Sequence, residues 1–193
     1  MRKLLYSLAA IFTLGSCAQK QADNTDAVAA AIDEIIMTRR SIRQYTDREI
    51  SRETLQAIAD AGINAPNGQG RQAYEVRIVK DPQTGAEGPQ ARNLFKGAPY
   101  VAFIACDTSY DMSQVDCGLL GENMILAAWA RGIGSCCLAQ PVRLIKNSPE
   151  CEPFIRSLDF SEGYELLYCI ALGYPAEEPA AKPRKAEKVR IMD

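Results

Sequence analysis

Apolar positions along this chain follow two rhythms, one helical and one alternating. Between Asp26 and Met37, Val28, Ile32, Ile35 and Ile36 recur at helical spacing and predict an amphipathic helix. A second helix is expected after Ser51, a good N-cap residue, with Ile50 and Leu55 placed as a hydrophobic staple. Gly62 reads as the residue that ends it, and Ala65-Pro66-Asn67-Gly68-Gln69-Gly70 has loop chemistry. The alternation in Tyr74–Lys80 predicts a half-buried strand, and the unbroken apolar runs Tyr100–Cys106 and Leu166–Leu172 predict buried ones. Gln90–Phe95 has the pattern of a short helix. The longest helical pattern, Val115–Arg131, is apolar on most faces, so a central position is expected, with Gly132 closing it. Ser135–Ala139 reads as a short extended piece, and Val142–Leu158 as one or two helices interrupted by Pro149 and Pro153. Helices and strands mix without a strict βαβ repeat, which favours an α+β class.

The first residues follow a different logic. Arg2 and Lys3 precede an uncharged apolar run, Leu4–Leu14, and Leu14-Gly15-Ser16-Cys17 places small residues before a cysteine. The run is short of the ~20 residues that span a bilayer. The pattern is that of a lipoprotein signal peptide over residues 1–16, with Cys17 as the lipidation site. Residues 17–26 are polar and read as a tether, leaving 27–193 as the folded domain. The expected location is the cell envelope, held to a membrane by the N-terminal lipid on its periplasmic or outer-surface side.

The chain has 193 residues and a net charge of -2, and basic residues dominate only the tail. Nucleic-acid binding therefore has no electrostatic support. Seven cysteines are present without a CxxC or a metal-ligand spacing. Cys106, Cys117 and Cys169 read as small apolar fillers. With no histidine near Cys136 and Cys137 to lower a thiol pKa, the bland reading is favoured there too. The absence of any histidine removes Ser-His-Asp and Cys-His catalysis and histidine metal sites. An enzyme built this way would leave the chemistry to a cofactor.

The densest chemistry lies in Thr38-Arg39-Arg40-Ser41-Ile42-Arg43-Gln44-Tyr45. Three guanidinium groups and a hydroxyl just after a helix suit a phosphate. The same residues also suit a solvated basic helix end that complements the helix dipole. Arg39-Arg40-Ser41-Ile42-Arg43 resembles the opening motif of the nitroreductase family, and Ala65-Pro66-Asn67 its second motif. Val115-Asp116-Cys117-Gly118 with Asn123–Ala128 resembles its long central helix. Gly132-Ile133-Gly134-Ser135 resembles its Gly-hydrophobic-Gly segment. Leu172-Gly173-Tyr174-Pro175 followed by Lys182-Pro183-Arg184 resembles its closing strand and basic tail. These motifs occur in the family's order from about Asp26 to Lys185.

The resemblance implies an α+β, nitroreductase-like FMN-binding fold, with a central mostly antiparallel sheet flanked by helices, in a homodimer with flavin at the subunit interface. It implies that Arg39 and Ser41 contact the phosphate or ribityl chain, with Arg40 beside them. Arg43 falls near the flavin N1 and C2 carbonyl, and Lys182 and Arg184 reach the phosphate. Cys137, Leu138 and Ala139 pass the isoalloxazine ring, with the backbone N–H of Ala139 approaching N5. Asn67 and Gly70 reach towards the ring across the dimer. No side chain is then assigned a catalytic role, because the flavin carries the chemistry. Gly70 stands where the family often has asparagine, and Ala73-Tyr74 where Pro-Trp is common; Tyr74 and Trp129 read first as packing residues. The segment between Asp107 and Val115 is short, where longer members carry a helical excursion over the substrate.

The implied activity is an FMN-dependent oxidoreductase that takes hydride from NAD(P)H and passes electrons to a nitro, quinone or similar acceptor in a ping-pong cycle. The alternatives are a flavin-binding electron-carrier lipoprotein reduced by a membrane partner, and a scaffold that has lost flavin. An exported enzyme would have to meet its electron donor, NAD(P)H or another, outside the cytoplasm, and the residues do not choose among these readings.

Overall fold

The computed structural model describes residues 25–88, 91 and 93–192; the expected signal peptide and Cys17 lie outside the described residues. The chain divides into two compact units, Met1–Arg39 and Arg40–Asp193. The described part of the first unit is helix α1, residues 25–38, which takes in the last two positions of the expected tether. Thr38 Oγ1 donates to the Glu34 carbonyl at 2.6 Å, and the Arg39 N–H bonds the Ile35 carbonyl at 3.1 Å. The helix bears the periodic apolar positions Val28, Ile32, Ile35 and Ile36, of which Val28, Ile32 and Ile36 are about half exposed.

The second unit contains α2 (Arg52–Ile63), β1 (Tyr74–Lys80), β2 (Tyr100–Asp107), α3 (Ser113–Trp129), β3 (Gly134–Leu138), α4 (Gln140–Lys146), α5 (Glu152–Ser157) and β4 (Tyr164–Gly173). The four strands form one sheet in the order β1-β2-β4-β3, antiparallel at every pairing. Alternation along β2 explains how both faces are covered. Ala102, Ile104 and Cys106 join a core with Ile58 of α2 and Leu120 and Met124 of α3. Val101 and Phe103 join the opposite core with Val142 and Ile145 of α4. Phe103 is fully buried and meets Phe95 and Phe154 edge-on, with ring centroids 5.7 and 5.2 Å away.

The N-cap of α2 is as expected: Ser51 Oγ accepts from the Thr54 N–H at 3.2 Å. Replacing Ser51 with Ala leaves that N–H without its cap and should cost about 1 kcal/mol. Urea denaturation of Ser51→Ala beside Ser51→Asp checks this, the aspartate retaining most of the stability. Gly62 does not end the helix. It lies inside α2, buried, and Asn64 is the C-cap residue. A Cβ at Gly62 would fall 2.6 Å from Met124 Cγ, so this glycine lets α2 and α3 approach closely. Of the short helix expected over 90–95, residue 91 is 3-10 helical and residues 93–95 lie in turns that run to 97, while residues 90 and 92 lie outside the described residues. Pro153 does not interrupt a helix but opens α5 from its first turn, where a missing N–H is harmless. Gly132 follows α3 with φ +71°, as a chain reversal there requires.

Candidate functional site

The segment after α1 is seated by backbone pairing. The Ile42 N–H donates to the Ser135 carbonyl at 2.9 Å, and Ser41 and Ser135 form a parallel bridge. Residues 41–42 therefore lie along the outer edge of β3. The side chain of Ile42 is buried, and a Cβ on Gly134 would fall 2.7 Å from its Cγ1. Only glycine permits this approach. Strand alternation then orients the rest of β3. The Ser135 carbonyl points to the outer edge, so the backbone of Cys137 faces the same way. Among the described residues, no strand pairs with β3 on that side at Cys137. The Cys137 carbonyl accepts from the Cys136 thiol at 3.8 Å, and an open strand edge is a place where a partner can hydrogen-bond. Leu138 ends β3, and Ala139 is the N-cap residue of α4.

The tail pairs with the next residues of the same segment. Tyr45 and Pro175 form an antiparallel bridge, the Thr46 N–H bonds the Tyr174 carbonyl, and the Ala176 N–H bonds the Gln44 carbonyl, the latter two at 2.9 Å. The Arg43 N–H donates to Glu177 Oε1, and Arg43 Nη1 donates to the Ser41 carbonyl at 3.2 Å. Tyr45 donates its hydroxyl to the Ile42 carbonyl at 2.6 Å. Burial, and then the charges of Cys136 and Glu177, push the Tyr45 hydroxyl pKa well up, while Arg43 opposes them. This phenol is a fixed donor at neutral pH.

Ser41 and Ile42 are thus seated at Ser135 on the edge of β3, the strand that continues to Cys137 and Leu138, with Arg40 and Arg43 flanking them in sequence. Arg39 belongs to the first unit. Lys182 and Arg184 lie on an exposed stretch, residues 180–192, that continues from the tail pairing. Asn67 and Gly70 belong to the loop that enters β1, the strand at the far edge from β3. That loop is braced from within. Asn67 accepts from the Gln72 N–H at 3.0 Å, and Gln69, Gly70 and Gln72 have φ of 57°, 69° and 51°. A Cβ on Gly68 would fall 1.9 Å from the Tyr110 hydroxyl, and the Gly68 N–H donates to Asp116 Oδ1 at 3.0 Å. Asp116 is buried, and its Oδ2 has no partner among the described residues.

The six cysteines of the described residues are free, and only Cys137 is exposed. Burial, then the charges of Cys136 and Glu122, raise the Cys137 thiol pKa, and burial first of all pushes Cys117 up to about 12. Neither is a ready thiolate, as a structural role requires. Tyr74 is buried and donates its hydroxyl to the Ile63 carbonyl at 3.2 Å, a packing role. Glu177 and the bracing role of Asp116 were missed by the sequence reading. The only sequence signal for Glu177 was its place two residues beyond Pro175 in the tail. For Asp116 it was an acidic residue in a helix's first turn.

Residues 31–192 match the family described as "Putative TM nitroreductase". A Methanothermobacter thermautotrophicus protein named "Putative NADH dehydrogenase/NAD(P)H nitroreductase" is 29% identical over 156 residues, covering 77% of this chain and 80% of the relative. The crystal structure of a nitroreductase with bound FMN from Desulfitobacterium hafniense superposes with a TM-score of 0.75 at 28% identity, covering 84% of this chain and 98% of that one. A second nitroreductase with bound FMN, from Bacteroides fragilis, gives 0.71 at 26% identity over the same shares. The motif order along the sequence, the antiparallel sheet with helices on both faces and the match across nearly all of the second unit agree: the chain belongs to the nitroreductase family.

Proposed function

We propose that this chain is an FMN-dependent oxidoreductase that takes hydride from NAD(P)H and reduces a nitro, quinone or similar acceptor by a ping-pong mechanism. The observation that carries the reading is the seating of Ser41 and Ile42, inside the Arg40–Arg43 cluster, on β3 at Ser135, two residues before the open edge at Cys137. The donor set fits the cofactor. Arginine forks and the Ser41 hydroxyl suit a phosphate and a ribityl chain, and an unpaired strand edge suits the amide-like rim of a flavin ring. When bound, FMN supplies the hydride chemistry that no side chain here can perform.

The chain's own residues bind and orient. Ser41 and Arg40 hold the phosphate end, with Lys182 and Arg184 folding in from the tail. Arg43 would supply a cation near the N1 and C2 carbonyl end of the ring, where it would favour the negatively charged, reduced form. Cys137, Leu138 and Ala139 offer backbone groups along the ring, the Ala139 N–H towards N5. No general base is required, which accords with a chain lacking histidine. The relatives' names support NAD(P)H as donor and FMN as cofactor.

A homodimer belongs to the same proposal. Exposed Val28, Ile32 and Ile36 on α1 support it, as do exposed Met112 at the N-cap of α3 and Val115 and Leu119 on that helix, because grouped apolar side chains mark surfaces that a partner covers. In the dimer, Asn67 and Gly70 of each subunit's braced loop would approach the flavin of the other. The placement in the envelope, with Cys17 carrying lipid, rests on the order of basic, apolar and small residues before Cys17. Among the described residues, no helix is long and apolar enough to cross a membrane.

Steady-state kinetics test the activity. With FMN-loaded protein, NADH or NADPH varied at several fixed concentrations of a quinone or nitroarene should give parallel double-reciprocal lines. Intersecting lines would reject the ping-pong order. A bound flavin that neither nicotinamide reduces would reject NAD(P)H as donor.

A further inference from the structure

The tail brings a negative charge against the Arg43 backbone, into the cationic cluster after α1. Glu177 is not a loose surface acid. Its segment is paired to residues 44–46 through the Tyr45–Pro175 bridge and the bonds between Ala176 and Gln44 and between Thr46 and Tyr174. Its carboxylate accepts the Arg43 N–H. The Arg43 guanidinium donates to the Ser41 carbonyl. One residue therefore carries a cation on its side chain and an anion on its backbone N–H, both fixed. The half-buried Tyr45 hydroxyl beside them feels the two charges with opposite signs.

We propose that Glu177 is the counter-charge to Arg43, a positioning residue whose carboxylate holds the bound flavin's reduction potential below the value that Arg43 alone would set. This rests on the flavin reading above, in which Arg43 faces the end of the ring that gains negative charge on reduction. A cation there favours the reduced form and a nearby carboxylate disfavours it. The pair would keep the flavin a stronger donor to its acceptor while leaving the backbone seat of the phosphate end unchanged.

Glu177→Gln separates charge from structure, because the amide oxygen still accepts the Arg43 N–H while the charge is gone. Full-length protein is loaded with FMN, freed of unbound flavin and titrated anaerobically with a reductant against an indicator dye of known potential. The expected result is a positive shift of the midpoint in Glu177→Gln with FMN content equal to wild type, and return to the wild-type midpoint in Glu177→Asp. Equal FMN content with an unmoved or more negative midpoint overturns the proposal and leaves the flavin reading standing. Loss of FMN from Glu177→Gln alone overturns it too, because the residue would then serve only to hold the tail. A wild-type protein that takes up no FMN overturns the flavin reading and this inference with it.

Discussion

Lys182→Ala combined with Arg184→Ala should strip FMN from the protein while leaving it folded. In the proposed complex each residue makes a charge-assisted hydrogen bond to the phosphate, worth about 1.5–3 kcal/mol. The two together would raise the FMN dissociation constant by roughly two to four orders of magnitude. Both residues lie on the exposed stretch 180–192, outside every packed cluster, so the melting transition should hardly move. Riboflavin, which has no phosphate, separates this from a general loss of the site: its affinity should be nearly the same in the double variant and the wild type. Fluorescence titration with both flavins checks the prediction. Retained tight FMN binding in the double variant would remove the tail from the phosphate site.

Phe103→Ala should be among the most destabilising single changes in the sheet. The ring is fully buried in the middle of β2, pressed edge-on between Phe95 and Phe154. Truncation removes its transfer free energy and leaves a cavity between strand and helices that the sheet cannot close. Such changes cost about 3–5 kcal/mol, against a typical total of roughly 5–15 kcal/mol. Urea unfolding should show a large drop in midpoint with the slope unchanged. A cost below about 1 kcal/mol would mean that the core over α4 and α5 is loosely packed.

Much of the fold was legible because its strands are short apolar runs bounded by turn residues. The residues expected for β1 are those observed, and β2 and β4 extend their expected runs by one to three residues. Ser51 announced α2 because capping is local chemistry. Gly62 misled for the opposite reason. A glycine near a helix end looks like a terminator in sequence, but its need here comes from Met124 on another helix. The candidate site divides in the same way. The Arg40–Arg43 cluster stood out by composition. The tail carboxylate that joins it did not, because Glu177 meets Arg43 across 134 positions of chain. The bond between Gly68 and Asp116 spans 48 positions, so the bracing of the 67–70 loop was equally hidden. Where contacts are local, residue type announces them; where the sheet makes them, the pairing has to be seen.

The apolar face of α1 carries a related lesson. Its helical spacing was correctly read, but periodicity says only that one face seeks cover, not which partner supplies it. Val28, Ile32 and Ile36 are about half exposed, and the proposed dimer is where they would be covered.

The most direct test of the account is the visible absorption spectrum of the purified full-length protein, incubated with FMN, freed of unbound flavin, then mixed anaerobically with NADH or NADPH. The account predicts a stoichiometric protein-bound flavin spectrum that bleaches on adding the nicotinamide and returns on adding a quinone or nitroarene. A folded protein that stays colourless after exposure to FMN would contradict it.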